Sequence, residues 1–193
     1  MAEFGELQMT DYGVSGIPIF QLSRFAAKAL NQKKQVSLVL DFLPNKTMKE
    51  TVALLEKRFL KVEQKKTMCE CFVGLLNRKL AEVLLKEAGI SLGDSPKKLT
   101  AEQIQRLAET IKGLSVDIIG SKSFEQAQVC AGGIDTREIC PETMESKLIP
   151  GLYFAGELID IDGRCGGYNL QWAWSSGYAA GIHAAKRSSY DSN

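Results

Sequence analysis

The chain has 193 residues, of which 45% are hydrophobic and 24% charged, and its formal net charge is +1. This length suggests one or two domains, and the composition is that of a globular protein able to build a core. The balance of 24 basic and 23 acidic residues, with no long block of like charge, argues against a nucleic-acid partner. No apolar run is long enough to span a bilayer, and no signal-peptide pattern is present, so we expect no membrane partner.

The five cysteines form no recognisable metal or disulfide pattern. They stand at positions 69, 71, 130, 140 and 165, spacings that match neither a zinc site nor a redox pair. On a helix, the side chains of Cys69 and Cys71 would point about 200° apart, which makes them poor joint ligands. We therefore predict no metal site and a reducing, cytoplasmic compartment.

The first 45 residues predict an extended segment, a helix and a strand. Residues 1–16 alternate in polarity between glycines, a pattern typical of an extended segment and a loop. Pro18 suits the first turn of a following helix, because its missing N–H costs nothing there. Residues 36–43 (VSLVLDFL) are β-rich and end before Pro44, which predicts a short buried strand.

Residues 46–113 predict a small helical domain. Three threonines each stand three residues before a glutamate or glutamine, which is the spacing of a capping box at a helix start. The pairs are Thr47 with Glu50, Thr67 with Glu70, and Thr100 with Gln103. Apolar residues at helical spacing follow each pair, and one more helix over residues 77–88 is predicted to end at Gly89. No chemistry-bearing motif occurs in this region.

The strand pattern returns after Gly113. Residues 114–119 and 124–130 alternate in polarity around a short polar turn, which predicts a β-hairpin. Residues 152–155 (LYFA) predict a compact buried strand, and a glycine-rich loop then opens a final helix near Tyr168.

Residues 151–181 carry the strongest functional signal. The predicted strand ends at Gly156, and Gly166 and Gly167 open the final helix. Glycines at such a turn let backbone N–H groups approach a ligand, and a helix N-terminus favours anionic or electron-rich groups. No acidic residue occurs from Gly163 to Tyr190, so the helix does not neutralise its own positive end. By itself this pattern is as typical of plain α/β architecture as of a ligand site.

Small residues recur along the predicted final helix, at Ala173, Gly177, Gly181 and Ala184. They form a stripe that would let the helix lie close against a sheet. The sole histidine, His183, falls about four turns from the helix start, so we expect it to be structural and remote from the ligand.

A family resemblance gives these motifs a specific meaning. Residues 151–157 (GLYFAGE), Asp160, residues 162–163 (DG) and residues 166–173 (GGYNLQWA) closely resemble the final FAD-binding motif of the BaiN-like flavoproteins. That family also includes aminoacetone-oxidase-like enzymes. The preceding segment resembles the same family, as do short motifs near the N-terminus, so the resemblance covers nearly the whole chain.

The resemblance implies a discontinuous fold. In that family a Rossmann unit binds the ADP half of FAD, and β-rich and helical domains are inserted before the closing strand and helix. This chain holds no G-x-G-x-x-G motif after an opening strand, which the Rossmann half requires. We therefore expect an α/β fold with an inserted all-α domain, as an incomplete two-part FAD-binding fold. Residues 1–45 would end the β-rich domain, 46–113 form the helical insertion, and 114–193 belong to the FAD domain.

The resemblance also implies a set of cofactor-binding residues. They are Gly132, Gly133, Gly156, Glu157, Asp160, Gly166, Gly167, Tyr168, Asn169 and Leu170. The residues from 156 to 160 would face the ribityl and phosphate part of FAD, those from 166 to 170 the flavin ring, and the loop at 132–133 would pass close to the ring. For the aspartates, direct contact with FAD has two alternatives: Asp162 only supports the site, or Asp160 and Asp162 only form the turn. For Tyr168, the alternative to a direct role is a residue of the site wall. No catalytic residue is identified.

The implied function is FAD-dependent oxidoreduction, with hydride passing through the flavin to NAD(P) or oxygen and NAD(P)H as a potential electron donor. Whether this chain is itself an enzyme stays open. An alternative is a non-catalytic module for folding, dimerisation or interaction, which needs a separate Rossmann half as its partner. Another is an unrelated nucleotide-binding α/β protein. We also expect self-association, because an incomplete fold exposes apolar surface.

Overall fold

The computed structural model describes residues 1–61 and 66–190, and for residues 188–190 the backbone alone. The chain divides into two compact units. The terminal unit combines Met1–Lys34 with the chain from Ile119 onward, and the middle unit is Gln35–Ile118. Parts of two predicted domains, residues 62–65 and 191–193, lie outside the described residues.

Three α-helices build the middle unit: α2 (Met48–Leu60), α3 (Arg78–Glu87) and α4 (Ala101–Gly113). The capping boxes predicted from Thr47 and Thr100 are confirmed, since each threonine and its partner three residues later exchange side-chain and backbone hydrogen bonds. The side chain of Asn77 accepts from the Lys79 N–H at 2.9 Å and caps α3. These helices form where the sequence predicts them because their start signals are local.

The third predicted capping box does not start an α-helix. Thr67 and Glu70 make the reciprocal hydrogen bonds, but only a short 3-10 helix, Cys69–Phe72, follows. The prediction of a longer helix there was wrong. The chain turns away because Val73 is extended (ψ 127) and Gly74 has a positive φ of 74°.

The core of the middle unit lies between its three helices. Phe59 and Phe72 meet edge to face with ring centroids 6.1 Å apart, and Leu55, Leu84 and Leu107 are fully buried beside them. Burial of large apolar side chains on every helix makes this unit a packed core of its own.

The predicted hairpin after Gly113 was wrong. Strand β4 (Leu114–Asp117) pairs antiparallel with β3 (Ser37–Leu40), far away in the sequence, with Ser37 opposite Asp117 and Leu40 opposite Leu114. Phe124–Gln126 is a 3-10 helix instead of the second strand. The buried strand predicted over residues 36–43 forms as β3, but its burial is only partial, since Val39 is 63% exposed while Leu40 is buried. A two-stranded antiparallel sheet can pack one of its faces on a core and leave the other in solvent, so alternate residues of β3 are exposed.

In the terminal unit, β1 (Gln8–Thr10) pairs antiparallel with β2 (Gly13–Ser15). Helix α1 (Ile17–Asn31) follows, with a buried Pro18 in its first turn as predicted. The predicted final helix is confirmed as α5 (Tyr168–Tyr190). None of the helices in the described part of the chain is long and apolar enough to cross a membrane.

The strand predicted over residues 152–155 does not form. Tyr153 makes only an isolated antiparallel bridge with Glu145. Gly151 and Gly156, with φ values of 84° and 69°, turn the chain at both ends and leave too short an extended segment. Among the described residues of this unit, the buried hydrophobic core is small: Ile139, Met144, Ile159 and Ala180.

Candidate functional site

Gly156 is anchored to the first half of α5. Its N–H donates to the Ser176 hydroxyl at 2.9 Å, and its carbonyl accepts from the Trp172 indole N–H at 3.0 Å. A Cβ at position 156 would lie 3.7 Å from Ala173, which is an ordinary contact. The positive φ of 69°, and not a lack of space, is therefore the reason for glycine here.

Gly133 passes very close to the backbone of residues 158–160. A Cβ there would lie 2.5 Å from the Leu158 carbonyl oxygen and 2.9 Å from the Asp160 nitrogen. The same two segments are joined by hydrogen bonds from the Ile134 N–H to the Leu158 carbonyl and from the Asp160 N–H to the Ile134 carbonyl. Gly133 is thus needed by the protein's own backbone. Gly132 differs, because a Cβ there would meet nothing within 4 Å.

Glu157 makes a second link between the same two segments. Its carboxylate accepts a hydrogen bond from the Cys130 N–H. Both residues are exposed. In this structure the Glu157 carboxylate therefore orders the loop that carries Gly132 and Gly133.

Asn169 clamps the loop before α5 to the first turn of that helix. Its side-chain oxygen accepts from the Gly163 N–H at 2.7 Å, and its amide donates to the Gly163 carbonyl at 3.2 Å. The backbone N–H and the backbone carbonyl of Gly163 are thereby both satisfied by the side chain of Asn169. We interpret Asn169 as the residue that sets the shape of the glycine turn.

Asp162 is held from the side by α1. A side-chain oxygen of Asp162 lies 2.5 Å from an Arg24 guanidinium nitrogen, and the two side chains are 22% and 43% exposed. The other carboxylate of this loop, Asp160, is exposed and takes part in the loop pairing through its backbone. The two aspartates therefore have different environments, with Asp162 in an ion pair.

The turn that opens α5 is open to solvent. Gly166 and Gly167 have φ values of 126° and 94°, and a Cβ at either position would meet nothing within 4 Å. Tyr168 and Leu170 are 64% and 61% exposed, and the described first turn of α5 has no acidic residue. The first N–H groups of a helix have no intrahelical acceptor, so this end presents donors and partial positive charge outward. This donor set fits an anionic or electron-rich group such as the flavin that the family resemblance implies.

An ion pair also lies beside the loop of residues 130–134. Hydrogen bonds from Arg137 hold the pKa of the Asp135 carboxyl down at about 2. Asp135 also caps the short 3-10 helix Thr136–Glu138. This carboxylate is therefore ionised and paired at neutral pH.

The structure brings the predicted residues into two groups. Gly133, Glu157 and Asp160 join the loop of residues 130–134 to residues 156–160, and Asn169 closes the glycine turn against Gly163. Sequence reasoning missed Arg24, Cys130 and Ser176 as the partners of these residues. No sequence signal could have found them, because they lie 138, 27 and 20 positions from the residues they hold.

His183 is half-buried late in α5, with its ring Nδ1 2.9 Å from the Ala179 carbonyl.

Comparison with known proteins links these loops to one family. Residues 15–183 match the sequence profile described as HI0933-like protein Rossmann domain. The chain is 41% identical over 183 residues to a 3-dehydro-bile acid delta(4,6)-reductase of Clostridium scindens, covering 95% of this chain and 44% of the relative. It is 31% identical over 184 residues to a ribosomal RNA dihydrouridine synthase of Haemophilus influenzae, covering 95% and 43%. The predicted BaiN-like resemblance is confirmed.

A third relative matches a shorter region. A ribosomal RNA dihydrouridine synthase of Escherichia coli is 44% identical over 96 residues, or 49% of this chain and 24% of that protein. The chain thus spans less than half the length of each of these relatives.

Proposed function

Because this chain belongs to the HI0933-like family of Rossmann-domain proteins, we propose that it supplies the C-terminal part of an FAD-dependent oxidoreductase. The observation that carries the proposal is the open glycine turn at the start of α5. Its positive φ values and empty surroundings at Gly166 and Gly167 suit close approach of a ligand to the backbone.

The residues of this turn would have distinct tasks. The N–H groups at the start of α5, from Gly167 to Leu170, would face the electron-rich edge of the flavin ring and stabilise negative charge there. Asn169 and Arg24 would hold the turn and Asp162 in place through the bonds described above. Asp160 would remain available to accept hydrogen bonds from ribityl hydroxyls. When bound, the flavin supplies hydride acceptance and transfer.

The names of the relatives favour the direction of the reaction. One is a delta(4,6)-reductase, and another forms dihydrouridine, a uridine that has gained two hydrogens. Both names describe reductions of an organic substrate. We therefore extend the proposal to a flavin that takes hydride from NAD(P)H and passes it to an organic acceptor. The competing direction is oxidation of an organic substrate, with its electrons passing through the flavin to oxygen or NAD(P).

A flavin titration tests this proposal. Purified chain is denatured and its released flavin measured by fluorescence, and the refolded or apo chain is then titrated with FAD. Saturable 1:1 binding would support a working flavin site in the chain itself. A chain that binds no FAD alone or together with a complementary Rossmann half would contradict the proposal.

Matched glycine variants make the titration specific. We expect Gly167→Ala to weaken FAD binding at least tenfold, because a Cβ at the open turn would stand between the backbone N–H groups and the ligand. Gly74→Ala is the control, since Gly74 also has a positive φ and empty surroundings but belongs to the middle unit. Equal losses in both variants would mean that backbone strain alone causes the effect.

The second candidate function is a non-catalytic module that acts only with a separate Rossmann half. Two features of the terminal unit favour it. The buried hydrophobic core is small, and large apolar side chains such as Phe4, Phe124 and Trp174 are at least 68% exposed. Addition of the complementary half distinguishes the two candidate functions. A non-catalytic module would form a complex that does not oxidise NAD(P)H. An oxidoreductase would form a complex that does oxidise NAD(P)H.

A further inference from the structure

Gly156, Trp172 and Ser176 form a closed cycle of hydrogen bonds. The Gly156 N–H donates to the Ser176 hydroxyl at 2.9 Å, and that hydroxyl donates to the Trp172 carbonyl at 2.7 Å. The Trp172 indole N–H donates to the Gly156 carbonyl at 3.0 Å, which closes the cycle. We call these three hydrogen bonds the Gly156 cycle. Because each residue is bonded to both of the others, the loss of one bond weakens the hold on all three.

The Gly156 cycle is shielded from water. Ser176 is 2% exposed, Gly156 is buried and Trp172 is half-buried. A buried N–H or hydroxyl that loses its partner is left with the cost of its desolvation, because water does not replace the lost bond. The cycle therefore favours one arrangement of Gly156 against α5.

Ser176 differs from the other buried polar side chain in the described part of the chain. That residue is Thr51, whose hydroxyl donates to the Thr47 carbonyl at 3.0 Å at the start of its own helix. Such a bond to the preceding turn is common for a hydroxyl within a helix. The Ser176 hydroxyl makes this bond to Trp172 and also accepts the N–H of Gly156, 20 positions earlier. Ser176 thus joins two segments of the chain.

On one side, the cycle fixes the segment of residues 156–160. Gly156 begins the short 3-10 helix Gly156–Leu158. Glu157, the next residue, accepts a hydrogen bond from the Cys130 N–H. A shift of Gly156 would therefore move this carboxylate and the loop that it orders.

On the other side, the cycle fixes the start of α5. Trp172 lies four residues after Tyr168, where α5 begins, so it stands about one helical turn beyond the open glycine turn. Asn169, which closes that turn against Gly163, precedes Trp172 by three residues on the same helix. The cycle therefore joins the two groups of predicted cofactor residues, the segment of residues 156–160 and the glycine turn.

We infer that Trp172 and Ser176 are positioning residues of the proposed flavin site. Neither is among the cofactor contacts that the family resemblance implies, and both act through Gly156, whose N–H and carbonyl they hold. By fixing Gly156 they set the placement of the segment of residues 156–160 relative to the glycine turn. A site that is ordered in advance binds more tightly, because less ordering is left to the ligand. This inference rests on the proposed function, in which these two groups bind FAD.

Fluorescence titration of the full chain with FAD tests the inference, under conditions in which the wild-type chain binds FAD. Ser176→Ala removes the hydroxyl of the cycle, and Trp172→Phe removes the indole N–H but keeps an aromatic ring. We expect each variant to weaken FAD binding about tenfold, because the ligand would have to order the segment that the cycle no longer holds. The double variant should bind FAD about as weakly as either single variant, since one break already opens the cycle.

Two neighbouring residues on the same helix provide matched controls. Ser175→Ala removes an exposed hydroxyl that accepts from the Gln171 side-chain amide at 3.0 Å. Trp174→Phe removes an indole that is 68% exposed. Both control variants should bind FAD like the wild type, because neither residue belongs to the Gly156 cycle.

Hydrogen exchange without flavin separates positioning from general stability. The Ile134 and Asp160 amides bond across the two loops that the site contains. In Ser176→Ala and Trp172→Phe we expect these two amides to exchange faster, while the amides in the second half of α5 keep their wild-type rates. A purely structural role would speed exchange throughout the terminal unit.

Two results would overturn the inference alone: wild-type FAD affinity in both Ser176→Ala and Trp172→Phe, or exchange that speeds equally at all amides of the terminal unit. A wild-type chain that binds FAD under no condition would overturn the proposed function, and this inference with it. The wild-type titration therefore distinguishes the two failures.

Discussion

At the scale of single residues, the candidate site contains two kinds of glycine. Gly133 and Gly156 are positioned by contacts within the protein, whereas Gly132, Gly166 and Gly167 face open space. A resemblance to known flavin motifs cannot separate these kinds, because both are glycines in a loop. Only the second kind leaves its backbone open to a ligand, so the two kinds should respond differently to substitution.

We expect Gly133→Ala to destabilise the terminal unit by about 1–3 kcal/mol, since the new methyl group would overlap the Leu158 carbonyl and force a backbone shift. Gly132→Ala, at φ 98° in open space, should cost only about 1 kcal/mol of backbone strain. Thermal unfolding of both variants without flavin measures the difference. Equal destabilisation would show that the close approach at Gly133 is not the cause.

At the scale of elements, the middle unit is organised by local end signals. Glu50 and Glu70 each accept hydrogen bonds from the backbone and side chain of a threonine three residues earlier, and these bonds lower the pKa of both carboxyls. Gln103 makes the same box at α4 with an uncharged amide. One unit therefore contains acid-sensitive and acid-insensitive versions of a single motif.

This contrast predicts how the middle unit responds to acid. The pKa of Glu50 is lowered from 4.5 in the folded chain, so its stabilising effect is complete above pH 4.5 and is lost as the pH falls through the folded pKa. Glu50→Gln should keep the box and weaken the pH dependence of the unfolding temperature between pH 6 and 3. An unchanged pH dependence would mean that other carboxyls govern acid unfolding.

At the scale of the whole molecule, the two units are unequally packed. Among the described residues, three helices enclose a continuous core in the middle unit, whereas the hydrophobic core of the terminal unit has four buried side chains. A unit that buries little apolar surface has little to offset the entropy of ordering its chain. We therefore expect the middle unit to unfold at the higher temperature.

Leu84→Ala tests this difference in packing. Leu84 is fully buried in the middle unit, so its truncation should cost that unit about 2–5 kcal/mol. Hydrogen exchange would show faster opening of amides in α2, α3 and α4, with the amides of α5 unchanged. Val83→Ala is the control, because Val83 is 47% exposed on the same helix. A uniform effect over both units would contradict independent cores.

The sequence by itself determined the family and the α-helices other than the one it wrongly predicted after Thr67, where only a 3-10 helix forms. Helix hydrogen bonds join residues four apart and capping boxes join residues three apart, so Thr47, Asn77 and Thr100 specify their helices locally. The pieces of the family motif are likewise local, since all of them lie within residues 151–173.

Only the tertiary structure decided which strands pair and what each loop residue holds. Alternating polarity predicts an extended segment but not its partner, which is why β4 pairs with β3 and not with the residues that follow it. The links from Arg24 to Asp162, from Cys130 to Glu157 and from Ser176 to Gly156 join positions far apart in the chain. Such contacts depend on how the whole unit packs, and no local pattern encodes them.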